Sequence, residues 1–363
     1  MNKDIKISNI QVRSLIVSTV IGVGVLTLPN TLTNILGKDG WMVIIISGIL
    51  MIPLIILITQ IFKENPNKDY FEIGKETLGG SIFTICLLIL LAHFIVLLGI
   101  ITRSLGESVK AFLLPTTPIE IIIILFIIAS SYISVHDIDI IARASFFIYP
   151  IIVEFTLLIV LLSIPKADFT NVLPLFQSDL SNIPKGIEET FFVFSGFEVI
   201  LFALPYVEER DKVVKSSIIA MGIVTLIYLS IFIMTLTKFS VQQIQRQMFP
   251  SIMLAKLIDL PGYFLQNLDG VFMAIWVLVI YSTMGPAYFA AGKILSKIFN
   301  TKGHKHFIWA LAPIIYWIAL KPDNIAALDN TLSKVTKVLG FISVIVVPLL
   351  IYIVGIAKRR MAE

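Results

Sequence analysis

Ten apolar runs, most of them long enough to cross a bilayer, take up the greater part of this chain. They fall at about 11–36, 41–62, 82–102, 118–135, 144–164, 186–206, 213–237, 268–290, 306–320 and 338–357. A membrane-crossing helix needs about 20 predominantly apolar residues. Hydrocarbon offers no partner to a free backbone N–H or C=O, so runs of this kind become helices. Composition agrees: of 363 residues 57% are hydrophobic and only 14% charged, with a mean hydropathy of +0.94, where soluble domains carry about 25% charged residues. The expectation is an all-α integral membrane protein, a single polytopic domain over residues 1–363, embedded in a lipid bilayer. Its loops are too short to hold a soluble domain.

The basic opening Met1-Asn-Lys-Asp-Ile-Lys6 precedes an apolar run that is too long for a signal peptide and lacks a small-x-small cleavage site, so it reads as a retained first helix. The ninth run is the shortest; Trp309, Tyr316 and Trp317 fit interfacial anchors, and Pro313 a kink. An even number of crossings puts both termini on one side. The larger share of the 28 Lys and Arg, ending in Lys358-Arg359-Arg360, falls there, so both termini are expected in the cytoplasm. On the far side, loop 165–185 could drape over an entrance. Loop 238–266, with Gln242, Gln243, Gln245, Arg246 and Gln247, could hold a short surface helix; both fit plain connectors equally well. The single cysteine, Cys86, excludes an internal disulfide and reads as inert core.

Two runs are interrupted. The first carries Val20-Ile21-Gly22-Val23-Gly24-Val25-Leu26-Thr27-Leu28-Pro29. Paired glycines loosen the helical ladder, and Pro29 lacks a donor and clashes with the carbonyl four residues back, near Val25. A small-residue packing face is the alternative. The sixth run repeats the feature as Phe194-Ser195-Gly196-Phe197-Glu198 followed by Leu204-Pro205. Glycine to proline spans 7 positions in one and 9 in the other. A shift of five crossings is odd, so the second half (about 186–357) runs opposite in topology to the first (about 10–164). Glycine-interrupted helices in matching places of two inverted halves point to a substrate site at mid-membrane. Free N–H groups at a half-helix start attract a carboxylate, and unwound carbonyls accept from an ammonium. A small zwitterion such as an amino acid meets both needs. The candidate pocket comprises Gly22, Val23, Gly24, Ser195 and Gly196, with selectivity left to Phe194, Phe197 and Leu97.

These stretches, with Thr102-Arg103 and Glu107 and with Tyr288-Phe-Ala-Ala291, resemble known families over essentially the whole chain. The ten-helix pattern with unwound helices 1 and 6 looks like the amino acid–polyamine–organocation superfamily and its LeuT-like five-plus-five inverted repeat. Closer still, the chain resembles the B subunit of endospore nutrient germinant receptors. That resemblance implies a germinant-sensing permease homologue in the spore inner membrane, working with A and C subunits on a small-molecule nutrient, an amino acid or a similar compound. It implies further that His93 on helix 3 lies near the ligand. It also carries Glu154 of helix 5 toward the place between helices 1 and 8 where a coupling ion would sit, and Thr283, beside Tyr281 and Ser282, toward helix 1.

A mid-membrane carboxylate must be paired, protonated or wet. Glu154 therefore reads either as a proton-binding group or as a glutamic acid making one structural hydrogen bond. Glu198 reads as a cap for the N–H groups of the next half-helix or as a proton or cation site. Ser282 and Thr283 could also simply bond back within their own helix. Arg103 and Glu107 fit an intrahelical pair, and Glu188 and Glu189 favour a helix start. His304 and His306 lack metal-ligand partners. There is no phosphate loop, no nucleophile triad and no sign of a cofactor, metal or nucleic-acid partner, so no enzyme is expected. Three functions remain: a nutrient sensor, an autonomous proton-coupled amino acid transporter, and an ion-conducting subunit.

Overall fold

A computed structural model of the chain describes residues 6–258, 268–322 and 334–362. The first crossing is two half-helices, α1 (Asn9–Val20) and α2 (Gly24–Leu36), and the second is α3 (Gly40–Glu64). A short helix, α4 (Tyr70–Leu78), leads into α5 (Gly80–Phe112), α6 (Ile119–Ser134) and α7 (Ile138–Ser163). The sixth crossing is again two pieces, α8 (Ile183–Phe194) and α9 (Phe197–Tyr206). The remaining crossings are α10 (Arg210–Lys238), α13 (Leu268–Ile298), α14 (Lys305–Leu320) and α15 (Lys334–Met361). Between α10 and α13 lie α11 (Val241–Arg246) and α12 (Pro250–Lys256). Among the described residues six helical stretches are long and apolar enough to span a membrane outright. The two broken crossings and the 16-residue α6 and α14, each about 24 Å long, complete ten.

α1 sits in the middle, packed on α7, α10 and α13, and every residue from Ser14 to Val20 is buried. A helix apolar on all sides belongs inside a bundle. Ser8 and Gln11 cap its start reciprocally: the Ser8 hydroxyl accepts from Gln11 N, and the Gln11 side chain accepts from Ser8 N at 2.9 Å. Just ahead, Ile7 pairs with the segment after α9, donating to Tyr206 O at 2.9 Å and accepting from Glu208 N at 3.2 Å. This ties down the end of the bundle that bears both termini.

The first break does not fall where proline chemistry predicts. Pro29 lies inside α2, and the unwound turn is Ile21–Val23, at the glycines. The carbonyl that Pro29 leaves without its i+4 donor is Val25 O, and the Ser251 hydroxyl of α12 donates to it at 2.6 Å. A tertiary hydroxyl thus replaces the missing N–H, and the helix continues. In the sixth crossing the glycine again makes the break, while Pro205 sits in the closing 3-10 turn Leu204–Tyr206.

Neither far-side loop is a plain connector. Asn30 of α2 donates to the carbonyls of Ile244, Gln245 and Gln247 at 2.8–3.0 Å, so α11 is clamped onto the first crossing. α12 is buried through Ser251, Ile252, Leu254 and Ala255; residues 259–267 of this loop lie outside the described set. Loop 165–185 is folded into three 3-10 turns, and Asp39, between α2 and α3, holds it. The Asp39 carboxylate accepts from the backbone N–H groups of Phe176, Gln177 and Ser178 at 2.7, 2.8 and 2.9 Å. Burial pushes this carboxyl up, but the hydrogen bonds from Ser178, Phe176 and Gln177 outweigh burial and hold it below the ordinary carboxylate range.

A depressed folded-state value means the clamp is fully made above the ordinary carboxylate pKa and is lost as pH falls through the depressed one. Asp39→Ala is expected to release the loop already at neutral pH. Hydrogen–deuterium exchange at residues 176–178 should accelerate about tenfold or more, and unchanged protection would disprove the clamp.

Candidate functional site

The two breaks meet. Gly196 has φ +113°, and a Cβ there would lie 2.9 Å from the backbone oxygen of Thr19, so main chain touches main chain between the sixth and first crossings. Two hydroxyls from other helices hold the unwound backbone. Tyr228 of α10 donates to Val20 O at 2.8 Å and lies 3.2 Å from Val193 O, spanning both crossings with one oxygen. Thr283 of α13 donates to Ser18 O at 2.9 Å, with Ile21 O at 3.3 Å. Three carbonyls at the first break, those of Ser18, Val20 and Ile21, are therefore taken by side chains. At the start of α2 the helical ladder begins only at Leu26, whose N–H donates to Val23 O at 3.0 Å, so the N–H groups of Gly24 and Val25 precede it.

A cavity of about 110 Å³ opens beside this junction, several times the roughly 10–15 Å³ that one water needs. Gly22, Val23, Gly24, Leu97, Ser195, Gly196 and Thr283 line it, so seven of the ten expected ligand residues share one space. The start of α2 brings the positive end of a helix dipole to its wall, and Phe192 and Val193 bring the negative end of α8. Phe249, just before α12, also lines it, together with Thr27, Thr31, Ser104 and Glu189.

The other three expected ligand residues, His93, Phe194 and Phe197, are fully buried and absent from the lining. Phe194 packs edge-on against Tyr228, with centroids 5.2 Å apart. His93 Nε2 stands 3.0 Å from Glu198 Oε1, with both side chains fully buried. The second Glu198 oxygen accepts from Gly196 N at 2.7 Å. Glu198 thus reaches back to the glycine of the break itself, and His93 supports that carboxylate from α5. The pair stands behind the cavity wall as part of the break's framework.

Glu154 is not brought to this site. α7 presents Ile152, Phe155, Thr156 and Ile159 to a small space beside the first break and α13. Residue 154 lies about 200° around the helix from 152, so it points the other way. Glu154 is exposed among Phe147, Ile151, Leu157, Leu158 and Leu161 on the outward face.

Several other singled-out side chains lie outside the cavity lining. Arg103 Nη2 pairs with Glu107 at 2.7 Å. Cys86 is buried, and His304 is buried with Nε2 3.1 Å from Ser134 O. Among the described residues no group of three or more His, Cys, Asp and Glu is placed to hold a metal. Three contributors escaped the sequence reading. Tyr228 gave one hint, since a lone tyrosine in an apolar run needs a partner for its hydroxyl. Ser251 gave none. Glu189, assigned only to the dipole of its helix, lines the cavity and is ion-paired with Lys337 of α15.

A family model described as "Spore germination protein" matches residues 6–328. Spore germination protein A2 of Bacillus subtilis is 26% identical over 359 residues, covering 98% of this chain and 97% of that protein. Spore germination protein GerLB of Bacillus cereus is 26% identical over 349 residues, covering 94% and 92%. Among solved structures, MhsT in complex with L-phenylalanine superposes with a TM-score of 0.69 at 14% identity, covering 97% of this chain and 99% of that one. At that identity the likeness speaks for the fold, which is LeuT-like.

Proposed function

We propose, for a chain that belongs to the spore germination permease family, that it is the nutrient-sensing membrane subunit of a germinant receptor. It binds an amino acid or similar small nutrient in the cavity between the two broken crossings. The observation that carries this reading is the cavity at the meeting point of the breaks, with an α2 start on one wall and an α8 end on another. A carboxylate suits the first and an ammonium the second. MhsT, of the same fold, is described with an amino acid bound, which supports the ligand class. Binding would shift a two-state equilibrium by its differential affinity for the two states, and A-type and C-type partner subunits would read the shift. The setting is the spore inner membrane, with both termini cytoplasmic and the cavity facing away from that side.

Leu97, which lines the cavity from α5, provides the test. Purified protein, alone or with its partner subunits, is titrated with the twenty protein amino acids. Leu97→Trp fills the space and is expected to weaken binding about tenfold or more, while the melting temperature stays within a few degrees of wild type. Wild-type protein that binds none of the twenty, alone or assembled, overturns the reading. A second reading, autonomous transport, is favoured by the paired half-helices, which suit alternating access. Labelled amino acid accumulating in liposomes that hold this chain alone would select it.

A further inference from the structure

Glu189 and Lys337 together suggest how occupation of the cavity is transmitted. Glu189 belongs to α8, one to two turns before the break, and is the one ionisable side chain among the described residues that line the cavity. Its carboxylate is paired with Lys337 of α15. The two side chains keep 28% and 14% of their surface exposed, so the pair stands at the cavity's edge and is not sealed in. Farther along α15, Gly340 abuts the His93 ring: a Cβ on this glycine would lie 3.0 Å from His93 Cε1. The next residues, Phe341–Val346, form a π turn, a rare geometry found frequently at functional sites. One helix therefore touches both the cavity's carboxylate and the His93–Glu198 pair that braces the break.

We infer that Glu189 reads the cationic group of the ligand, and that Lys337 holds its place when the cavity is empty. An incoming ammonium and the Lys337 ammonium compete for one carboxylate. The ligand satisfies Glu189 from inside the cavity, the α8–α15 tie opens, and α15 is freed to move against His93. This rests on the cavity reading above and adds that the ligand must carry an amine. A carboxylic acid lacking that amine leaves the tie closed.

Two measurements test it. Hydrogen–deuterium exchange over residues 334–340 of the full chain needs no ligand. Glu189→Gln and Lys337→Met are each expected to raise exchange by a similar factor, about tenfold, and the double variant by no more than either alone. No rise, or fully additive rises, overturns the tie. In the second, the same twenty amino acids and their deaminated acids are titrated against each variant. Glu189→Gln is expected to weaken amine-bearing ligands about tenfold or more, and Lys337→Met to tighten them several-fold. If wild type binds amino acids and Glu189→Gln binds them equally well, this inference falls and the cavity reading stands. If wild type binds none, the cavity reading and the amine-reading role both fall, and exchange alone decides whether the tie exists.

Discussion

Glu198→Ala is expected to destabilise the folded protein by about 3–5 kcal/mol, the cost of stripping one partner from a buried charged or strongly polar pair. The carboxylate holds two fully buried groups at once, Gly196 N at 2.7 Å and His93 Nε2 at 3.0 Å. Alanine leaves both without that partner, and the His93 ring is fully buried. His93 Nδ1 already has no hydrogen-bond partner, so the imidazole would lose its one polar contact. Glu198→Gln separates the two roles. Its amide oxygen can still accept from Gly196 N, so it should recover part of the loss, and His93→Ala should cost less than Glu198→Ala. Thermal unfolding in detergent or nanodisc gives the ranking. An alanine variant melting within about two degrees of wild type would show that the pair braces nothing.

Gly196→Ala is the second large effect. A φ of +113° lies beyond even the left-handed helical region, and holding a residue with a Cβ there costs on the order of 1–3 kcal/mol. The new methyl would also stand 2.9 Å from Thr19 O. That neighbour is backbone of the central helix and cannot rotate away, so the two crossings must part. The expected outcome is a chain that inserts in the membrane, melts earlier and loses the ligand binding proposed for the cavity. Gly22→Ala is the internal control. Its methyl would meet the Thr283 side chain at 3.1–3.2 Å, and its backbone is not in the positive-φ region. A small shift of one side chain can absorb it, so its effect should be clearly the smaller. Equal effects at the two glycines would mean that contact between the breaks is not what Gly196 provides.

This contrast shows where sequence reasoning reached its end. Both glycines stand in matching interruptions and look equivalent as letters. What separates them is the neighbour across the junction, backbone in one case and a threonine side chain in the other. Pro29 was equally misleading: its missing donor is real, but Ser251, 226 residues from Val25 in sequence, supplies the replacement. His93 and Glu198 were each recognisable as costly polar groups inside a membrane. Their pairing joins α5 to the second break over 105 positions, and no spacing rule reveals it. Glu189 drew only a helix-dipole role because its partner, Lys337, belongs to the last crossing.

By itself the sequence determined the number of apolar runs, their helical character and the places of the two interruptions. Each of these follows from local chemistry: run length against bilayer thickness, internal satisfaction of the backbone, and glycines that weaken a ladder. The tertiary structure alone decided which way each crossing faces. A helix apolar around its whole circumference carries almost no directional signal, and the packing preferences of neighbouring helices in lipid are too weakly written in composition to supply one. So Glu154 could be read as a polar residue in a membrane helix but not as one turned outward, and Tyr228 as a tyrosine in an apolar run but not as the hydroxyl that ties two broken helices together.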